Sequence, residues 1–284
     1  MGLMTTFFSV LLIMGINVPQ NMNDTTSGDA QMWNGFARET ITVGEHQAVV
    51  VRPSAPAPGQ PWVLCFGLEI RYMGATDYEE WSPGVFPALL EQGFHVVAMH
   101  GPIEPFGSSH GVEQLHGFIS GVVDAWELAP APVIAALSRQ GLLAQRYALT
   151  YPERVAALYL DRAVCDFKSW PGRHREAFWR AMKNDYGFSS DDEALHFDGN
   201  PVDQVAFFAQ RRIPVYHVVA EADTVVPPHE NGLLMYERAQ ALGAASFHCA
   251  VEKEAGHNPH GLRQIEHLMA FIIRHGVRGG ASIE

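Results

Sequence analysis

The sequence predicts an α/β fold in which a mostly parallel eight-stranded sheet is flanked by helices, and three observations predict it. Strand-like and helix-like segments alternate along most of the chain, the pattern required by parallel strands joined through crossover helices. Most of the strand-like segments are near-continuous in apolar residues, as strands covered on both faces are. At 284 residues, with 47% hydrophobic and 18% charged, the chain is long enough to bury one large core.

Residues 1–31 read as an N-terminal extension. Its first part, Met1 to Ile16, is an apolar run of signal-peptide length, too short for a comfortable bilayer span, so no stable membrane insertion is expected. The first basic residue is Arg38, so the run lacks a basic n-region. Two readings stay open: an atypical export signal, placing the protein outside the cytoplasm in a secreted or periplasmic location, or an extension of a cytoplasmic protein. The polar stretch up to Gln31 reads as linker, and the domain is expected over 32–284.

Within it, 39–43 and 47–52 alternate as an antiparallel opening pair, and 62–66, 94–99, 133–137, 155–160, 213–220 and 246–251 follow as central strands. Helices are expected at 86–92, 111–128, 142–150, 231–242 and 262–273, where apolar residues recur at the spacing of a face packed on a sheet. Between about 165 and 212 there is far more chain than one crossover needs, rich in aromatic and charged residues, which reads as a helical lid over the carboxyl ends of the strands.

Three strand ends carry candidate chemistry. In Val133-Ile134-Ala135-Ala136-Leu137-Ser138-Arg139-Gln140-Gly141 an apolar strand runs into a helix with a serine at the corner. Such a corner lifts the hydroxyl above the sheet beside a helix N-terminus with unpaired N–H groups. Asp223 follows the strand 213–220, and His257 follows the strand 246–251. The chain order Ser, Asp, His, each in a loop after a strand, matches one of the known arrangements of a nucleophile, its orienting acid and its base.

From about Phe36 to the last helix the chain resembles the α/β-hydrolase superfamily, most closely bacterial esterase or peptidase-like members with an S-R-G-G nucleophile elbow. The likeness is carried by Ser138-Arg139-Gln140-Gly141, by Tyr159-Leu160-Asp161-Arg162-Ala163-Val164-Cys165-Asp166-Phe167-Lys168-Ser169-Trp170-Pro171-Gly172 and by Gly256-His257-Asn258-Pro259-His260-Gly261-Leu262. Ala136 and Gln140 stand where G-x-S-x-G has glycine; alanine fits, whereas the Gln140 side chain must point out of the strand–helix contact or widen it.

The resemblance implies an esterase cleaving a small-molecule or carbohydrate ester through an acyl-enzyme, with Ser138 as nucleophile, His257 as base and Asp223 orienting it. The oxyanion hole would use the Arg139 amide and, after the strand 62–66, that of Leu68, with Gly67 allowing the turn. Substrate contacts are expected from Glu69, Asp166, Trp170 and His260: an aromatic face with a carboxylate suits a sugar. The elbow's departure from pattern keeps open a catalytically silent binding protein, and the shared triad keeps open a serine peptidase.

Other classes find little support. A net charge of -12 without a long basic run disfavours nucleic acid. Fourteen histidines fall at no zinc-motif spacing, so no metal is expected, and glycine-rich nucleotide loops are absent, so no cofactor is implied. Cys65, Cys165 and Cys249 are too far apart for a disulfide scaffold or a C-x-x-C site.

Overall fold

The computed structural model describes residues 31–66, 84–100 and 103–277. They form nine strands: β1 (Gln31–Trp33), β2 (Phe36–Val43), β3 (His46–Arg52), β4 (Trp62–Phe66), β5 (His95–His100), β6 (Val133–Leu137), β7 (Ala157–Asp161), β8 (Val215–Ala220) and β9 (Phe247–Glu252). The helices among them are α1 (Val85–Glu91), α2 (Ser109–Trp126), α3 (Gln140–Thr150), α4 (Glu176–Tyr186), α5 (Asp191–His196), α6 (Val205–Arg211), α7 (Gly232–Ala241) and α8 (Glu266–Gly276). None is long and apolar enough to cross a membrane. The apolar run at the N-terminus, on which the export-signal reading rests, lies outside the described residues.

The strands make one sheet in the order β1-β2-β3-β5-β4-β6-β7-β8-β9. From β1 through β5 neighbours are antiparallel, and from β5 to β9 all are parallel. The chain passes from β5 over β4 to β6, so β4 and β6 stand side by side where the winding reverses, and ligands of such sheets bind at the carboxyl ends beside that point.

Successive residues of β6 show why the central strands read as unbroken apolar runs. Ile134 and Ala136 join the core on one face, with Leu115, Phe118 and Ile119 of α2 and Tyr147 of α3. Val133 and Ala135 join the core on the other, with Leu89 of α1 and Phe271 and Ile272 of α8. With both faces covered, no position of the strand has reason to be polar.

Two boundaries differ from expectation. The sheet has nine strands, because Gln31–Trp33, of which only Gln31 was assigned from sequence to the extension, folds back on β2. The turn is Asn34-Gly35, both with positive φ (48° and 83°), the geometry of a two-residue hairpin that suits this pair. The interval 165–212 also divides. Helices α4 and α5 stand on a separate apolar cluster with Phe106, Leu142, Phe167, Trp179 and Met182, whereas Val205 and Phe208 of α6 enter the main core. Helix α6 is the crossover into β8, so the separate cluster ends before it.

The three cysteines are free, with Cys65 and Cys165 buried and Cys249 half-buried. On β8, His217 is fully buried, with neither ring nitrogen hydrogen-bonded among the described residues. Burial holds its pKa down at about 3. The unfolded chain takes up a proton near pH 6.5 that the folded chain refuses, so stability is complete above pH 6.5 and falls as pH drops towards 3. Urea unfolding of His217→Leu beside wild type is therefore expected to show a difference that is constant above pH 7 and shifts in the variant's favour as pH falls to 5.

Candidate active site

Ser138 is the first residue after β6 and adopts φ 51°, a left-handed conformation uncommon outside glycine and asparagine. Hydrogen bonds hold the turn: Ser138 N–H donates to the Asp161 carbonyl (3.1 Å), and the Ser138 carbonyl accepts from the amides of Gly141 (3.0 Å) and Val164 (2.9 Å). The turn is thus bound to the end of β7 and the segment that follows it. The tightest approach falls on Gly141, where a Cβ would lie 2.4 Å from Ala163 Cβ and 3.1 Å from the Val164 carbonyl. Gln140, one residue earlier, is half-buried and leaves that contact to the glycine. Ala136 is buried within β6.

His257 lies in the loop after β9, with Nε2 3.0 Å from Ser138 Oγ and Nδ1 2.8 Å from Asp223 Oδ2. Asp223 sits in the turn after β8, and its other oxygen accepts from the amides of Val225 (2.8 Å) and Val226 (2.9 Å). Because the ionised Asp223 carboxylate can only accept, it accepts from Nδ1–H, which leaves Nε2 as an acceptor for the serine hydroxyl. Burial alone would raise the Asp223 carboxyl. The hydrogen bond from His257, the Val226 amide, the His257 charge and the Val225 amide outweigh it and hold the group below its ordinary value. A hydroxyl bound to a base, itself bound to a fixed carboxylate, is an arrangement that can ionise a nucleophile.

Arg139, at the N-cap of α3, has no hydrogen-bond partner for its amide among the described residues. Its guanidinium lies over the ring of Phe178 at 5.9 Å. Leu68 and Glu69 lie outside the described residues. Asp166 Oδ1 accepts from the Lys168 amide (2.8 Å) and so shapes its own turn. Burial raises its carboxyl above the usual range, against the Lys168 amide and charge, with Asp203 and Glu230 adding to the rise.

Trp170, expected with Asp166 in a sugar-facing wall, is packed in its own segment. Only 6% exposed, its ring is stacked on Phe106 (6.4 Å) and tilted against Phe178 (5.5 Å), with Arg175 above it at 6.0 Å. The aromatic content of this segment builds its own core. His260 stands edge-on to His257 at 4.9 Å, with Nδ1 3.6 Å from Asp161 Oδ1.

Sequence reasoning left Asp161 and Arg162 without a role. They form a buried ion pair of 2.6 Å, and Arg162 donates to the carbonyls of Gly256 (3.0 Å) and Gly261 (3.2 Å) on either side of His257. Their signal was two charges ending an apolar strand, where unpaired charges are rarely buried. Asn231 was missed as well. Its side chain accepts from the Cys165 amide (2.9 Å) and donates to Pro227 O (3.0 Å), tying the post-β7 segment to the loop after Asp223. Among the described residues no group of histidines, cysteines and carboxylates could hold a metal ion.

No family model and no curated protein matches the sequence. Solved structures do match in fold. A dipeptidyl peptidase 4 of Porphyromonas gingivalis superposes with a TM-score of 0.60 at 15% identity, over 86% of this chain and 36% of its own. An esterase of Pyrococcus furiosus gives 0.56 at 16% identity, over 84% of this chain and 92% of its own, and an acylaminoacyl peptidase of Pyrococcus horikoshii gives 0.56 at 12%, over 78% and 38%. The chain thus spans about a third of the dipeptidyl peptidase, whereas it matches nearly the whole esterase.

The close approach at Gly141 is open to direct test. Gly141→Ala is expected to destabilise the fold by about 1–3 kcal/mol, the cost of overpacking a contact that cannot open freely, despite alanine's better helix propensity. Gln140→Ala is expected to change little; both are read by urea unfolding.

Proposed function

We propose, from the α/β-hydrolase fold of the chain, that it is a serine hydrolase cleaving a carboxylic ester through an acyl-enzyme. The observation that carries this reading is the continuous hydrogen-bonded chain Ser138–His257–Asp223 at the carboxyl end of the sheet. Ser138 Oγ attacks the acyl carbonyl as its proton passes to His257 Nε2. Asp223, buried and already ionised, stabilises the imidazolium that forms. Charge developing on the carbonyl oxygen is met by the Arg139 amide, with the Leu68 amide as the second donor. His257 then protonates the departing alcohol, and a water activated by the same ring hydrolyses the acyl-enzyme and restores the serine.

Helices α4 and α5 act in this reading as the lid that shapes the pocket, with Phe178, 41% exposed, beside the Arg139 guanidinium. The alcohol is a small molecule or a sugar, and Asp166 and His260 are the remaining polar contacts offered to it. The near-complete coverage of a solved esterase supports the ester over the amide, and the two peptidases above motivate the amide as second reading. The case for a catalytically silent protein loses its main ground, because Gly141 and not Gln140 occupies the tight contact.

A fluorophosphonate probe is expected to add once to wild type and not to Ser138→Ala by intact mass. Asp223→Asn is expected to keep the fold and lower kcat by about four orders of magnitude, since its amide favours the wrong imidazole tautomer. With 4-nitrophenyl butyrate and a matched 4-nitroanilide, the ester is expected to turn over faster; the reverse order would favour the peptidase.

A further inference from the structure

We propose that Arg162 is a positioning residue for the same reaction, setting His257 at its working distance from Ser138. The proposal rests on the serine-hydrolase reading above. The loop 256–261 has no regular secondary structure, yet it must hold an imidazole within hydrogen-bond reach of both a hydroxyl and a carboxylate. Arg162 closes it from below. Nε donates to the Gly256 carbonyl, and Nη1 donates both to the Gly261 carbonyl and to Asp161. One rigid, planar guanidinium therefore grips the loop on both sides of His257, a task for which its fork is suited and a lysine ammonium is not.

The arginine is itself fixed at its side chain and its backbone. Its side chain is fully buried against Asp161, and its amide donates to the Val218 carbonyl on β8 (2.8 Å). Its backbone adopts φ 46°, a conformation that glycine or asparagine would take at lower cost. An arginine in a strained backbone points to what the side chain does. Asp161 completes the arrangement. The burial that would raise its carboxyl is outweighed by His260 and then by Arg162, while its carbonyl accepts the Ser138 amide at 3.1 Å. Adjacent residues at the end of β7 thus hold the nucleophile turn through the backbone and the base loop through a side chain.

The test uses the full chain with 4-nitrophenyl butyrate and a fluorophosphonate probe. Arg162→Lys keeps a cation beside Asp161 but cannot bridge both carbonyls. It is expected to lower kcat and the labelling rate about 100-fold, the effect of moving a reacting group by about 1 Å, with little change in KM. The downfield proton resonance of the His257–Asp223 hydrogen bond is expected to weaken with it. The pair Asp161→Asn with Arg162→Met removes both buried charges together, and serves if Arg162→Lys does not fold; the same loss of kcat is expected from it. Turnover by either folded variant within about threefold of wild type, with the resonance intact, would overturn the proposal and leave the serine-hydrolase reading standing. A wild type that neither reacts with the probe nor cleaves the ester would overturn both.

Discussion

The backbone turn at Ser138 is the constraint from which the rest of the site follows. A serine at φ 51° costs about 1–2 kcal/mol over an ordinary conformation. The cost is met by three backbone hydrogen bonds and by the close packing of Gly141 on Ala163. That contact brings the start of α3 against the segment after β7, so Ser138 stands at the top of the sheet and not within it. A side chain that reaches its hydroxyl must then come from a neighbouring strand end.

The sheet supplies such ends in register. β6, β7, β8 and β9 run parallel side by side, and their carboxyl ends deliver Ser138, the Asp161-Arg162 pair, Asp223 and the loop of His257 in spatial sequence. Parallel pairing fixes the spacing of these ends but not the height of the loop between β9 and α8. Buried charge does that part. Leaving either Arg162 or Asp161 unpaired would be costly in an apolar interior, so the ion pair and the loop carbonyls it grips stand or fall together, a strong restraint on a segment that helix or strand hydrogen bonds do not organise.

What was legible in the sequence follows the same physics. The central strands announce themselves because both faces are covered, and the polar loop after each is conspicuous by contrast, which is how Ser138, Asp223 and His257 could be singled out. β1 was not legible because three residues carry no periodicity; only Asn34-Gly35 marked it. The packing of Trp170 on Phe106 and Phe178 was not legible, since an aromatic residue in a charged segment has the same composition whether packed or presented. The role of Arg162 could not be read at all, because its partners Gly256 and Gly261 lie 94 and 99 positions away. The tight glycine sits one place beyond the expected one, a shift that depends on how α3 leaves the turn and not on residue type.

The measurement that tests the central claim most directly is a crystal structure of the chain after reaction with an alkyl fluorophosphonate. The account predicts continuous density from Ser138 Oγ to phosphorus, the phosphoryl oxygen within hydrogen-bond distance of the Arg139 amide, and His257 still between the adduct and Asp223. An unmodified Ser138 after prolonged exposure, or an adduct on any other residue, would contradict it.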